Sequence, residues 1–186
     1  MLLGKNLQGG DYKNEKFQSV DFTGVNLKLT SFENCELISC NFTQAGFEHT
    51  SFTECKFTGC CFSGVDFANL RVKKCQFIET LMSYATFQLF KAGSNFEMVK
   101  LDLSSNKFEK CDLSGAVFNF CNLKKVRFAD SVLVKTVFKK CDLTEADLST
   151  ANIEGAVFKE SVMNKTVLSL DGMIKFGGSW GFVVGE

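Results

Sequence analysis

The stretch Cys111–Ser149, CDLSGAVFNFCNLKKVRFADSVLVKTVFKKCDLTEADLS, places a large apolar residue at every fifth position. A small residue stands two positions before each of them. The large residues are Leu113, Phe118, Leu123, Phe128, Leu133, Phe138, Leu143 and Leu148. Neither a helix nor a strand has a period of five, so we predict a solenoid in which every turn repeats the same five-residue step.

The same step runs through most of the chain but changes its numbering once. From Val20 to Gln88 the large residues have numbers that end in 2 or 7, and from Leu103 to Leu168 they have numbers that end in 3 or 8. Sixteen residues separate Phe87 from Leu103, which is one more than three repeats need. We therefore predict a first block at 5–87, an irregular bulge or short loop at 88–100, and a second block at 101–170.

Composition narrows the classes of function. The 186 residues include 21 basic and 21 acidic side chains, which argues against a general electrostatic nucleic-acid binder. The start of the chain lacks a signal-like apolar run, and no stretch approaches the ~18 apolar residues of a membrane span. We expect no direct contact with nucleic acid or membrane and a cytoplasmic location.

The nine cysteines follow the repeat. Eight of them occupy the small position two residues before the large one, and only Cys61 does not. Because this placement is that of small buried residues and no CxxC pair occurs, we expect structural thiols and no metal site. The single histidine, His49, has no nucleophile or ligand partner, so we expect no catalytic residues, no cofactor and no enzymatic activity.

Several repeats resemble the A-(D/N)-(L/F)-x-x motif of the pentapeptide-repeat family. Good matches are Val20–Gly24, Val65–Asn69, Cys141–Glu145 and Ala146–Thr150. The resemblance implies an all-β, right-handed quadrilateral β-helix with four repeats per coil, and residues 1–170 would make about eight coils. In such a helix, positions twenty apart stack.

The tail, 171–186, leaves the repeat. Asp171 could cap a short helix through Met173 and Phe176 that ends at Gly177-Gly178, and Gly181–Gly185 would form a short strand. This tail is similar to that of the pentapeptide-repeat proteins that protect DNA gyrase, the Qnr-type group. The resemblance implies a homodimer through the C-terminal segments.

Two sets of residues are candidates for contact with a partner. Loops on a rigid scaffold often bind partners, although a tolerated insertion at a corner explains the break as well. The loop residues are Phe90, Lys91, Ser94, Asn95 and Phe96. An outward valine row suggests a contact or dimer surface, although β-branched residues also simply suit strands. With the tail, this surface comprises Val117, Val137, Val157, Trp180, Phe182, Val183 and Val184.

Two functions remain open at this point. The Qnr-type resemblance implies protection of DNA gyrase or topoisomerase IV from quinolones or toxins by imitation of duplex DNA. The neutral net charge, with basic and acidic residues interspersed, fits a general protein-interaction scaffold equally well.

Overall fold

The computed structural model describes residues 7–68, 70–90, 97–179, 181–183 and 185. Within them the chain forms short parallel strands that stack as a β-solenoid of about seven turns, followed by one helix. The prediction of about eight coils was slightly high. The strands are β1 Asp11–Lys13, β2 Lys16–Gln18, β3 Ser31–Glu33, β4 Glu36–Ile38, β5 Thr50–Thr53, β6 Lys56–Thr58, β7 Leu70–Lys73, β8 Gln76–Ile78, β9 Thr86–Phe87, β10 Leu101–Asp102, β11 Lys107–Glu109, β12 Val117–Asn119, β13 Cys121–Asn122, β14 Phe128–Ala129, β15 Val137–Lys139 and β16 Val157–Lys159; the helix α1 is Leu170–Ser179.

The strands belong to successive faces of the solenoid, and each pairs with the strand one coil away. The sheets have the orders β1-β3-β5-β7, β14-β11-β8-β6-β4-β2, β16-β15-β12-β9 and β10-β13. In the first block the register is twenty residues, as in Phe32 opposite Phe52. Four five-residue steps therefore complete one coil, which confirms the predicted stacking of positions twenty apart.

The strand pairing across the break between the blocks gives the length of the insertion. Phe77 pairs with Phe108 and Phe87 stands opposite Phe118, so the register across the break is thirty-one residues rather than twenty. Eleven residues are thus inserted into a single five-residue step. The spacing of the large residues in the sequence could not show the length of the insertion. The sixteen positions between Phe87 and Leu103 fit three five-residue steps plus one residue, and they fit one step plus eleven residues equally well.

The insertion leaves and re-enters the solenoid at one corner. Phe90 forms an antiparallel bridge with Met98, and the Val99 amide donates to the Leu89 carbonyl at 3.0 Å. Residues 91–96, which include most of the predicted contact loop, lie outside the described residues. Because both arms leave together, the strands on either side of the break still pair directly.

Stacked phenylalanine rings fill the interior. Phe67, Phe87 and Phe118 lie with ring centroids 4.4 Å apart at each step, and Phe138 and Phe158 continue the column at 5.0 Å. The column passes the insertion without a gap, since Phe87 and Phe118 are the pair that spans it. The two sequence blocks therefore share one continuous core.

The small inward positions carry buried hydrogen-bond donors. The Cys55 thiol donates to the Phe32 carbonyl one coil below at 3.4 Å, and the Thr50 hydroxyl donates to the Leu27 carbonyl at 2.7 Å. Burial raises the pKa of the Cys111 thiol to about 11. The described cysteines are all free thiols, and all but the half-buried Cys61 are buried, as predicted.

The residue before each large one contributes to the shape of its corner. Where it is Asp or Asn, its side chain usually accepts a hydrogen bond from the amide two residues later, as from Thr23 to Asp21 at 3.0 Å and from Thr144 to Asp142 at 3.2 Å; Asp11, which lies in β1, is an exception. These repeats close into a β-turn, in which the Val25 amide donates to the Phe22 carbonyl. Asp66, Asp102, Asp112, Asp147, Asn26, Asn41, Asn122 and Asn152 act in the same way.

Repeats without such an acceptor usually stay extended instead. Ser31, Glu36, Lys56 and Val137 each begin a three-residue strand. The extended repeats also change face near the insertion. Before it, β1, β3, β5 and β7 form one sheet; the face that carries the valine row is extended from β9, just before the insertion, through β12, β15 and β16, where valine suits a strand.

The helix α1 differs from its predicted form at both ends. Ser169, not Asp171, caps it: the Ser169 hydroxyl accepts from the Gly172 amide at 3.0 Å. At the other end the Phe182 amide donates to Gly177 O and the Gly181 amide to Gly178 O, which is a Schellman motif with Gly181 at a φ of 83°. Because Gly181 supplies the left-handed residue, the helix continues through Gly177 and Gly178.

The helix covers the C-terminal end of the core. The Phe176 ring meets Phe158 edge-on at 5.6 Å, and Gly172 is buried beside Ile153. The predicted strand at 181–185 does not form at 181–183 or at 185, the residues described there, because the Schellman bonds already hold the chain after the helix. No helix in the described ranges is long and apolar enough to cross a membrane.

Truncation of a central ring tests how much the column stabilises the fold. Phe138 is fully buried between Phe118 and Phe158. We expect Phe138→Ala to lower the free energy of unfolding by about 3–5 kcal/mol, because it removes buried surface and leaves a cavity. Phe138→Leu should cost much less. Denaturant titration followed by circular dichroism measures both, and an alanine variant as stable as the parent would contradict the column's role.

Candidate interaction surfaces

The returning side of the insertion is anchored to the second block by two contacts. The Asn119 amide group lies 3.6 Å from Met98 Sδ, and Lys100 Nζ lies 3.5 Å from Asp142. Of the five predicted loop residues, only Phe90 is described, and it is half-buried at the base. Lys91, Ser94, Asn95 and Phe96 lie outside the described residues, so the loop as a contact site stays a prediction.

The predicted valine row exists as a ladder on one outer face. Val117, Val137 and Val157 are direct register partners in β12, β15 and β16. Val157 is 44% exposed, and the other two are half-buried. Thr86 of β9 continues the row on the other side of the insertion. Geometry thus brings these residues together, while their role as a contact surface stays a prediction.

Apolar side chains are also exposed around the C-terminal cap. Phe182 and Val183 of the predicted set are 74% and 92% exposed, whereas Trp180 and Val184 lie outside the described residues. The structure adds Leu170, Met173 and Ile174, which sequence reasoning missed. Their i, i+3, i+4 spacing is typical of one helix face, and it becomes visible only once the helix begins at Leu170 rather than after Asp171.

Many charged residues pair with the opposite charge on the next coil. Lys13 pairs with Glu33, Lys28 with Glu48, and Lys74 with Glu54, each with Nζ 2.7–2.8 Å from the carboxylate. Further pairs across coils are Lys16–Glu36, Lys110–Glu79, Lys125–Glu145, Arg127–Asp147 and Lys140–Glu160. These exposed pairs contribute little stability individually, but they leave no unbroken acidic stripe on the described surface.

Asp142 is the most strongly perturbed carboxylate. Its partial burial opposes ionisation, but hydrogen bonds from Thr144 and the nearby Lys124 outweigh burial and lower the pKa to about 2. The pKa values of Asp21, Asp102, Asp112 and Asp147 are also lowered, in each case with hydrogen bonds from the residue two positions later contributing. These shifts belong to the corner turns, so they indicate structure rather than catalysis.

The described residues contain no group of three or more His, Cys, Asp or Glu side chains that could hold a metal ion. His49 is exposed, and its Nε2 lies 3.9 Å from Glu48. The described surface therefore presents its side chains mainly as rows in register along the solenoid.

Comparison with known proteins identifies the class. The family model described as pentapeptide repeats (8 copies) matches residues 16–53, 30–69, 97–133, 111–149 and 121–160, together more than half of the chain. The chain therefore belongs to the pentapeptide-repeat family. A search of curated protein sequences gives no match.

Solved structures of the same fold extend the comparison. A trypsin-treated variant of QnrB1, a plasmid-mediated fluoroquinolone resistance protein, is 18% identical with a TM-score of 0.67, and the match covers 98% of this chain and 94% of that one. Full-length QnrB1 is 20% identical, with a TM-score of 0.56 over 82% of this chain and 74% of that one. HetL of Nostoc sp. strain PCC 7120, a pentapeptide-repeat protein involved in heterocyst differentiation regulation, is 16% identical with a TM-score of 0.31, covering 91% and 93%.

Acid titration tests the corner carboxylates. The pKa of Asp142 is lowered in the fold, so its ionised form stabilises the protein above about pH 4, and this stabilisation is lost as the pH falls from about 4 towards 2. We expect Asp142→Ala to cost about 1–3 kcal/mol at pH 7 and to flatten the acid limb of the stability profile. Asp142→Asn, which keeps an acceptor for the Thr144 amide, should cost less at pH 7. Stability against pH, measured by urea titration, checks this; an unchanged acid limb would contradict it.

Proposed function

We propose that this protein is a non-enzymatic binding protein whose partner is a type II topoisomerase, DNA gyrase or topoisomerase IV, and that it protects this enzyme from fluoroquinolones or toxins. The observation that supports the proposal is the end-to-end match to QnrB1, a fluoroquinolone resistance protein, over 98% of this chain. The match includes the terminal part of the chain as well as the solenoid.

The shape of the protein, rather than its overall charge, supports binding to a topoisomerase. The continuous phenylalanine column makes the solenoid a stiff rod, and the chain leaves and re-enters it at a single corner at the eleven-residue insertion. A rod of this kind can enter a cleft that accommodates duplex DNA, with the insertion at a fixed position along the rod axis. Because many acidic side chains of the described surface are paired with lysine or arginine, imitation of DNA would rest on cross-section and not on a negative stripe.

The pairing of acidic with basic side chains on the surface favours a second function. A protein-interaction scaffold with an unrelated partner needs a rigid frame and exposed rows, but no acidic surface. The neutral surface and the partly exposed valine row fit this alternative. Only an assay that contains a topoisomerase distinguishes the two functions.

Gyrase supercoiling in the presence of a fluoroquinolone is the direct test. We expect the protein to restore supercoiling when it is titrated at stoichiometry comparable to gyrase, because it would compete for the drug-stabilised enzyme–DNA complex. A variant in which 91–96 are replaced by a short Gly-Ser linker should lose protection and keep its stability, since the Phe90–Met98 bridge closes the loop base. Lys107→Ala, on another face, is the matched control and should protect fully.

The outcomes separate the two functions. Protection by the parent and the control but not by the loop variant supports topoisomerase protection through the insertion. Neither rescue nor inhibition with folded protein, for both gyrase and topoisomerase IV, leaves the scaffold function.

We also propose that the C-terminal cap forms a homodimer. Leu170, Met173, Ile174, Phe182 and Val183 are exposed apolar residues gathered at one end of the rod, where a second copy could bury them. We expect the intact chain to have the mass of a dimer in size-exclusion chromatography with light scattering. Deletion of 181–186 should yield a monomer with an intact solenoid; an intact chain that is monomeric at micromolar concentration would show that the cap only covers the core.

A further inference from the structure

One outer face of the second block carries two parallel rows of different chemistry. The apolar row is Val117, Val137 and Val157, and the polar row beside it is Asn119, Lys139 and Lys159. We call these six residues the valine–lysine face. In each strand the two outward residues flank a buried phenylalanine, so they lie roughly 6–7 Å apart, and the coils repeat at about 4.8 Å.

The two lysines of this face differ from most charged residues of the rod. Lys139 and Lys159 are direct register partners, so like charges face each other, which is unfavourable in a sheet. In the described part of the chain neither forms an ion pair, and the nearest glutamate along the chain, Glu160, pairs with Lys140. Elsewhere adjacent coils usually place an acid opposite a base. These positions therefore leave positive charge uncompensated beside exposed valine.

The face is bounded at both ends. Met98, on the returning arm of the insertion, contacts Asn119 at one end, and α1 lies over Phe158 of the last strand at the other. Between them the two rows run along the rod axis. A partner element must therefore lie along the axis and span about two coil steps.

The spacing of the rows favours an α-helix as the bound element. Two coil steps measure roughly 9.6 Å, and seven residues of a helix rise about 10.5 Å, so apolar side chains at i, i+3 or i+4, and i+7 can each meet one valine. A neighbouring row of Asp or Glu on that helix would then face Lys139 and Lys159. An extended strand along the axis repeats at about 6.6 Å and would fall out of step.

We propose that the valine–lysine face binds an acidic amphipathic helix of a partner protein. Nucleic acid fits less well, because two lysines beside an apolar row offer few phosphate contacts. This inference stands apart from the proposed topoisomerase function: it assigns a face and a class of ligand whichever enzyme or scaffold the rod serves.

A designed peptide provides the test. The probe is a fluorescein-labelled helical peptide of about 18 residues with leucine at heptad positions a and d and glutamate at e. Two control peptides replace the glutamates by glutamine or the leucines by alanine. Fluorescence anisotropy with the full chain should show binding of the probe that weakens with added salt, and each control peptide should bind about tenfold or more weakly.

Protein variants locate the binding. K139E/K159E and, separately, V137T/V157T should each weaken probe binding about tenfold or more, while threonine keeps the β-branched shape that the strands need. K107E/K165E makes the same charge change on other faces and should leave affinity within about twofold. Circular dichroism verifies that every variant folds.

The binding results either support or overturn the assignment of the valine–lysine face. Binding of the probe alone that is lost in both face variants supports the assignment. Failure of the probe to bind, equal binding of the glutamine peptide, or equal loss in K107E/K165E overturns it. Tighter binding of labelled duplex DNA than of the probe, abolished by K139E/K159E, would instead assign the face to nucleic acid.

Discussion

The stacking of each coil on the one below it, at a fixed register, is the constraint on which the rest of this structure depends. Phenylalanine columns hold the coils in line from inside, and backbone hydrogen bonds hold them from outside, as between Phe42 N and Cys61 O. Because both repeat every coil, a residue's height and face follow from its position in the repeat. The rows of valine, lysine and paired charges are consequences of this register.

The insertion between the two blocks shows that the fixed stacking of coils still allows extra residues at a corner. Eleven residues enter between two coils without separating them, because the chain leaves and returns at a corner while Phe87 stacks on Phe118 at 4.4 Å. An insertion within a strand would displace the inward phenylalanine of every later step, whereas one at a corner displaces only solvent-facing chain. The corner is therefore where this rod can gain a loop and remain rigid.

The sequence predicted the interior far better than the surface. The fold, the inward residues and the buried thiols follow from the period of five, since burial repeats with it. The length of the insertion did not, because sixteen residues between Phe87 and Leu103 fit two different counts and only pairing selects one. The predicted ends of the C-terminal helix were wrong. Ser169 caps its start and Gly181 closes its end, in place of Asp171 and Gly177. The sequence alone could not select these residues, because the choice depends on where the last coil ends.

The outward residue before each buried one occurs in two arrangements: it caps a corner turn, or it lies in a short strand. Asp and Asn before the buried residue turn inward to cap a corner, as Asp142 does, and are then held beside Thr144 instead of projecting to a partner. Val117, Val137 and Val157 offer no such acceptor, and at these positions the backbone is extended and the valine side chain stays partly exposed. The lack of an acceptor does not by itself produce a strand, because the repeat after Val132 still closes into a turn in which the Thr136 amide donates to the Leu133 carbonyl. On the valine-row face of the second block, three successive coils are extended, and that face also carries Lys139 and Lys159, for which the described part of the chain provides no ion-pair partner.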